Sequence, residues 1–133
     1  MAKKILLIDD DKDTTENIAR VLSSKGYEVL EAHSGAEGLK IALKEKPDLL
    51  ILDIIMETDT AGLEIADQIR SERPFSKYKT IRYTPIIILT AINQVTHYRF
   101  SLDEKNNFLP KINGFLTKPV NFDELLEKIK TII

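Results

Sequence analysis

Two unbroken apolar runs each end in aspartate: Ile5-Leu6-Leu7-Ile8 leads into Asp9-Asp10-Asp11, and Leu49-Leu50-Ile51-Leu52 leads into Asp53. A strand with one wet face alternates apolar and polar residues, so runs without alternation read as strands covered on both faces, as in a parallel sheet between helices. Sheets of that kind build their sites just beyond the carboxyl ends of their strands. The aspartates therefore stand where chemistry is expected.

The remaining periodicity alternates between strand and helix. Asp13, with Glu16 three places on, is expected to cap a first helix whose face of Ile18, Val21, Leu22 and Lys25 ends at Gly26. Glu28 to Ala32 reads as a short strand, and Ser34-Gly35 opens a helix with Ala36, Leu39 and Leu43 inward, closed before Pro47. Leu49 to Asp53 is the third strand, followed by a helix from Gly62 to about Glu72 through Ile65, Ala66 and Ile69. Pro85 introduces a fourth strand, Ile86 to Leu89, and Gly114 to Leu116 a brief fifth. Asn121, with Glu124 three on, caps a last helix striped by Phe122, Leu125, Leu126, Ile129 and Ile133. Right-handed crossovers turn such βα units into an α/β, doubly wound five-stranded parallel sheet with helices on both faces. The flavodoxin-like strand order 2-1-3-4-5 is expected.

With 133 residues, 43% of them hydrophobic, the chain suits one domain spanning 1–133. The 19 basic and 21 acidic residues leave a net charge of -2, so no overall basic field draws in nucleic acid or an anionic membrane, and neither is expected as a direct partner. The absence of cysteine removes disulfides, thiolate metal sites and a cysteine nucleophile. Met-Ala-Lys-Lys precedes only four apolar residues, far short of a signal-peptide core, which makes a cytoplasmic protein the expectation.

In the 2-1-3-4-5 order the first and third strands are neighbours, so Asp9, Asp10 and Asp53 converge where the winding reverses. Like charges about 4 Å apart repel by roughly 4 kcal/mol at an effective dielectric near 20, which calls for compensation. A divalent cation is the simplest, and oxygen ligands with room for water and phosphate suit Mg²⁺ or Mn²⁺. Strand four ends in Thr90-Ala91 and strand five leads to Thr117-Lys118-Pro119, which sets a hydroxyl and an ammonium opposite the acids. Cation, ammonium and hydroxyl around one carboxylate are the parts that stabilise a transferring phosphoryl group, and Asp53 can itself attack phosphorus.

Ile-Leu-Leu-Ile-Asp-Asp-Asp, Pro47-Asp48-Leu-Leu-Ile-Leu-Asp53-Ile-Ile-Met56, Ile-Leu-Thr90-Ala91 and Phe-Leu-Thr-Lys118-Pro119 together resemble the receiver domain of two-component response regulators, across essentially the whole chain. The resemblance implies a stand-alone, non-enzymatic switch. In it Asp53 is the phosphoacceptor, Asp9, Asp10 and Asp53 hold Mg²⁺ with the backbone carbonyl of Ile55, and Lys118 contacts the phosphoryl oxygens. Thr90 and Phe115 are the implied switch pair, and the Lys118-Pro119 bond is expected cis. The implied partners are a sensor histidine kinase or phosphotransfer protein and a downstream protein, with a homodimer through the last helix as an option. No DNA-binding or catalytic segment is expected after Ile133, so output is expected by protein contact, onward phosphotransfer or dimerisation.

Several features depart from the family. Glu57-Thr58-Asp59-Thr60-Ala61 replaces a turn that usually begins with proline, and the connections at 70–82 and 94–113 are long. Blander readings stand beside the functional ones: Asp13 as a plain cap, Phe115 as core, His33 and His97 as solvated, and the basic stretch from Arg70 to Arg82 as a hydrated loop. Among rival functions, an Asp-x-Asp phosphatase wants threonine or valine where Asp13 stands. A calcium loop fails at Thr14 and Arg20. A receiver-like module that works without phosphate is the remaining alternative.

Overall fold

Alternate residues of each apolar strand face opposite helical layers, so the unbroken runs fill two cores at once. A computed structural model describes residues 2–54, 61–91 and 112–133. Its strands are β1 (Lys4–Ile8), β2 (Glu28–Ala32), β3 (Leu49–Asp53), β4 (Ile86–Ala91) and β5 (Gly114–Lys118), and its α-helices are α1 (Lys12–Ser24), α2 (Gly35–Glu45), α3 (Ala61–Arg70) and α4 (Phe122–Ile132). The sheet is parallel throughout, in the order β2-β1-β3-β4-β5. That is the expected doubly wound, flavodoxin-like arrangement.

Leu6, Ile8, Leu50, Leu52, Ile86 and Ile88 point to one side, where Leu39 and Ala42 of α2 and Ile65, Ala66 and Ile69 of α3 cover them. Ile5, Leu7, Leu49, Ile51, Ile87 and Leu89 point to the other, against Ile18 and Leu22 of α1 and Leu125 and Ile129 of α4. Each of these strand side chains is at most 2% exposed, and each contributes about 1.5–3 kcal/mol over an exposed position. Among the described residues no helix is long and apolar enough to cross a membrane.

Local details correct the sequence reading in several places. The cap of α1 is Asp11, whose carboxylate accepts from the Asp13 and Thr14 N–H groups. Asp13 lies inside the first turn instead, because the chain leaves β1 extended as far as Asp11. Ala36 is exposed, and Gly35, Gly38, Leu39 and Ala42 form the buried face of α2. Strands β4 and β5 each run two residues further than expected, taking in Thr90-Ala91 and Thr117-Lys118. Asn121 caps α4 as expected, its Oδ1 accepting from the Glu124 N–H at 3.0 Å, and the Lys118-Pro119 bond is cis. The stretch from Arg70 to Arg82 is ordered rather than a hydrated loop: Tyr78 and Ile81 are buried around a 3₁₀ turn at Lys79–Ile81. His33 is half-buried with its Nε2 3.2 Å from Thr15 Oγ1, so it is not simply solvated. Ile55, the loop at 57–60, His97 and the 94–111 part of the second long connection lie outside the described residues.

The start of α3 meets the exit of β3 without a spacer. Gly62 N donates to the Ile54 carbonyl at 2.8 Å, and a Cβ on Gly62 would lie 2.7 Å from Ile54 Cα and collide with the Asp53 carbonyl oxygen. Both obstacles are backbone, so relief requires helix and strand to separate. Gly62→Ala is expected to destabilise the fold by about 1–3 kcal/mol and lower Tm by several degrees in thermal denaturation; an unchanged Tm would show that the contact is looser than it looks.

Candidate functional site

The register of the sheet brings three of the expected residues into one cleft. Ile8 of β1 pairs with Leu52 of β3, so Asp9 and Asp53 occupy neighbouring positions at the same edge. Asp53 pairs onward with Leu89 of β4, and Ala91 of β4 pairs with Lys118 of β5. Lys118 thus starts two strands from Asp53, and its long stem spans the exit of β4 beside a small residue. Its Nζ donates to Asp9 Oδ2 at 2.8 Å and to Asp53 Oδ2 at 3.2 Å.

Backbone contacts hold the carboxylates in place. Asp9 N donates to the Ala32 carbonyl at 3.0 Å, and Asp9 Oδ1 accepts the Asp11 N–H at 2.9 Å, so the acid turns back over its own loop. That anchoring by Asp11 was missed in the sequence, although an aspartate two residues before a helix cap is a common turn signal. Asp9 and Asp53 are 3% and 7% exposed, whereas Asp10 stands at the rim.

The electrostatics follow from that burial. Loss of solvent and then the Asp9 charge push the Asp53 carboxyl up to about 6, against a partial offset from Lys118. Desolvation and the Asp9 charge also raise Asp10. For Lys118, burial alone would lower the ammonium, but its bonds to Asp9 and the charges of Asp9 and Asp53 outweigh burial and raise it. The Thr14 hydroxyl and backbone hold Asp11 below the usual carboxylate range, as befits a cap bonded in its charged form.

Asp9, Asp10 and Asp53 each offer an oxygen within 4.8 Å of the others, and among the described residues these three acids face the one Lys118 ammonium, a surplus of two negative charges when ionised. An all-oxygen donor set with a double negative surplus fits a hard divalent cation such as Mg²⁺ or Mn²⁺, and among the described residues it includes none of the histidine or cysteine ligands that zinc favours. Of the other expected residues, Thr90 is the penultimate residue of β4, in register with Thr117. Phe115 is half-buried on β5, against the core under α2 and α3. Ile55 lies outside the described residues.

Comparisons with known proteins agree with this geometry. A family model described as "Response regulator receiver domain" matches residues 5–130. Among curated relatives, Response regulator MprA of Mycobacterium ulcerans is 34% identical over all of this chain and 51% of its own length, and the Mycobacterium avium protein of that name is 34% identical over 98% of this chain and 50% of its own. The chain thus spans about half the length of the curated relatives it matches. Among solved structures, the response regulator TrrA of Thermotoga maritima in complex with Mg²⁺-BeF superposes with a TM-score of 0.76 at 35% identity, covering 98% of this chain and 99% of that one. The chemotaxis response regulator CheY4 of Vibrio cholerae gives a TM-score of 0.75 at 28% identity, with both chains fully covered.

The raised Asp53 carboxyl makes stability depend on pH. A carboxyl whose folded pKa exceeds its ordinary 3.8 favours the fold while protonated; that contribution is complete below about 3.8 and lost as pH rises through about 6. Asp53→Asn, neutral at every pH, is therefore expected to match the wild type at the acid end and to become more stable than it across this window. The gain is on the order of 1 kcal/mol after solvent screening, read from urea midpoints in chelator. A variant less stable than the wild type at neutral pH would refute the burial and like-charge cost assigned to the Asp53 carboxylate.

Proposed function

Because the chain belongs to the response regulator receiver domain family, we propose that residues 1–133 act as a phosphoacceptor switch in two-component or phosphorelay signalling, in which a phosphohistidine of a sensor kinase or phosphotransfer protein donates its phosphoryl group to Asp53. The observation that carries this reading is the double hydrogen bond of Lys118 to Asp9 and Asp53. It places one ammonium within reach of the nucleophile and of any oxygen transferred to it.

In the transfer, an Asp53 carboxylate oxygen forms a bond to phosphorus as the phosphorus–nitrogen bond of the donor breaks, and the bonding pair leaves with the imidazole. Charge then spreads over the three equatorial oxygens. Lys118 Nζ has three hydrogens, so it can keep Asp9 while following this charge from Asp53 to the phosphoryl group. Asp9, Asp10 and Asp53 would hold Mg²⁺ or Mn²⁺, with the Ile55 carbonyl the expected further ligand; when bound, the cation screens the carboxylates and attracts the phosphoryl oxygens. The relative solved with Mg²⁺-BeF supports that assignment.

The acyl phosphate adds nearly two negative charges at the β3 exit. The Thr90 hydroxyl would turn toward them, and Phe115 would change rotamer with it, biasing a two-state element toward an active form. Hydrolysis resets the switch. Output would pass to a downstream protein by binding or onward transfer, with pairing through the partly buried Leu126 side of α4 as an option. Because the curated relatives are about twice as long, the expectation against a nucleic-acid partner rests on the charge of this chain alone.

Incubation with acetyl phosphate and Mg²⁺ is expected to add one phosphoryl mass, with no adduct in excess chelator or in Asp53→Asn. An unmodified wild-type mass would sink the proposal and favour a module that works without phosphate. Lys118→Ala is expected to slow adduct formation by roughly 10²-fold with circular dichroism unchanged, the scale of losing one preorganised donor to a developing anion; an undiminished rate would remove Lys118 from the chemistry.

A further inference from the structure

The connection between α3 and β4 is fixed from within. Arg70 Nη1 donates to the Arg82 carbonyl at 2.7 Å, Arg82 Nε to the Ser71 carbonyl at 2.8 Å and Arg82 Nη2 to the Arg73 carbonyl at 3.4 Å, so two guanidinium groups tie both ends of the connection together. Tyr78 and Ile81 pack into the core beneath it. Order of this kind removes chain slack, yet Phe75 is 98% exposed and Tyr83 83% exposed. Among the described residues these are the large apolar side chains left in water. Phe75 and Pro74 border a concavity of about 570 Å³ whose other walls include Gln68, Arg73, Lys77 and Tyr78.

Charge is distributed unevenly in the same direction. Residues 70–85 hold five lysines or arginines and one acid, whereas the rest of the chain, from totals of 19 and 21, holds 14 basic against 20 acidic. Arg73, Lys77 and Lys79 are exposed, and Lys77 Nζ is held over the Tyr78 ring at 5.3 Å, within cation–π range. We propose that this platform docks an acidic protein segment, which seats an apolar side chain beside Phe75 while its carboxylates pair with Arg73 and Lys77. Aromatic and arginine anchors inside a rim of complementary charge are the composition that carries protein–protein binding. A nucleic-acid strand suits the platform less well. It bears a charge on every nucleotide and would extend past this small surface onto the acidic remainder.

The platform joins the C-terminal end of α3 to the N-terminal end of β4, at the sheet edge opposite Asp9, Asp53 and Lys118. A partner bound there leaves the acidic cleft open, so it can hold the protein in place while a phosphodonor works at the other pole. The inference does not rest on the phosphoacceptor reading.

The test uses the full isotope-labelled chain, titrated by NMR with a short synthetic peptide carrying aspartate and glutamate around a leucine–phenylalanine pair. A lysine-substituted peptide and an oligothymidylate serve as controls. Expected are shifts centred on Gln68 and residues 70–85, weaker binding at high salt, and at least roughly fivefold weaker binding in Phe75→Ser and in Arg73→Glu, with labelling by acetyl phosphate unaltered. Binding that is absent, is centred elsewhere, ignores both substitutions, or is surpassed by the lysine peptide or the oligonucleotide overturns the proposal. Self-association in place of peptide binding does so too.

Discussion

A single ammonium makes the acidic cleft tolerable. Asp9 and Asp53 are nearly inaccessible to water and carry the same charge, and among the described residues the group that touches both is Lys118, at 2.8 and 3.2 Å. Removing the Lys118 ammonium would cost far more than a surface ion pair contributes, since both buried carboxylates would keep their desolvation penalty. The contact also has a topological consequence. Lys118 belongs to β5 and its partners to the ends of β1 and β3, so one side chain closes the carboxyl edge of the sheet across the exit of β4. Lys118 offsets only part of the burial and like charge that push Asp53 up to about 6 and raise Asp10 as well. Under the proposed function, that remaining negative charge is what would draw a cation and the electrophilic phosphorus to the cleft.

Placing these groups falls to backbone rather than to side-chain packing. Asp9 hangs from the Ala32 carbonyl and from the Asp11 amide, and Gly62 lets the amide of α3 reach the Ile54 carbonyl at 2.8 Å. Side chains mounted on strand tips with bonded neighbours lose little further freedom when a ligand arrives, which is the condition for preorganised electrostatics. Helices α1 and α3, packed on opposite faces, brace the two acidic exits from either side, so the cleft inherits the rigidity of two cores.

How much of this was legible in the sequence depended on whether a feature is local or the product of remote contacts. The doubly wound sheet was readable because Ile5–Ile8 and Leu49–Leu52 lack alternation, and the convergence of Asp9, Asp10 and Asp53 followed from strand order alone. Capping was half legible: Ser34 and Asn121 announce their helices, but Asp13 with Glu16 three on fits the capping pattern better than Asp11, and only the extended backbone at Asp11 shows that Asp11 is the cap. On α2, Ala36 and Ala42 look alike as letters, and only the tight approach of Gly38 to Ile8, with a would-be Cβ 2.8 Å from Ile8 Cγ1, fixes which face turns inward. The Thr15–His33 bond joins residues from two elements, with no periodic signature. The ordering of 70–85 was hidden for the same reason, since Arg70 and Arg82 are spent on carbonyl groups that no sequence pattern reveals.

That last case shows why an average charge is a poor guide to partners. A net charge of -2 suggests a surface indifferent to anions, but it sums a basic platform at one end of the sheet and an acidic cleft at the other. A five-residue strand is about 16 Å long, beyond the Debye length of about 8 Å at physiological ionic strength, so each pole is felt by its own visitors and scarcely by those of the other. In the proposed reading, the acidic pole takes a cation and then a phosphoryl group. The basic pole, where the exposed Phe75 borders the same concavity as the buried Tyr78, is the one proposed to take carboxylates that come with an apolar side chain. Separation beyond the screening length allows both to be occupied together, and any influence of one on the other has to travel through the sheet and α3 rather than through the field.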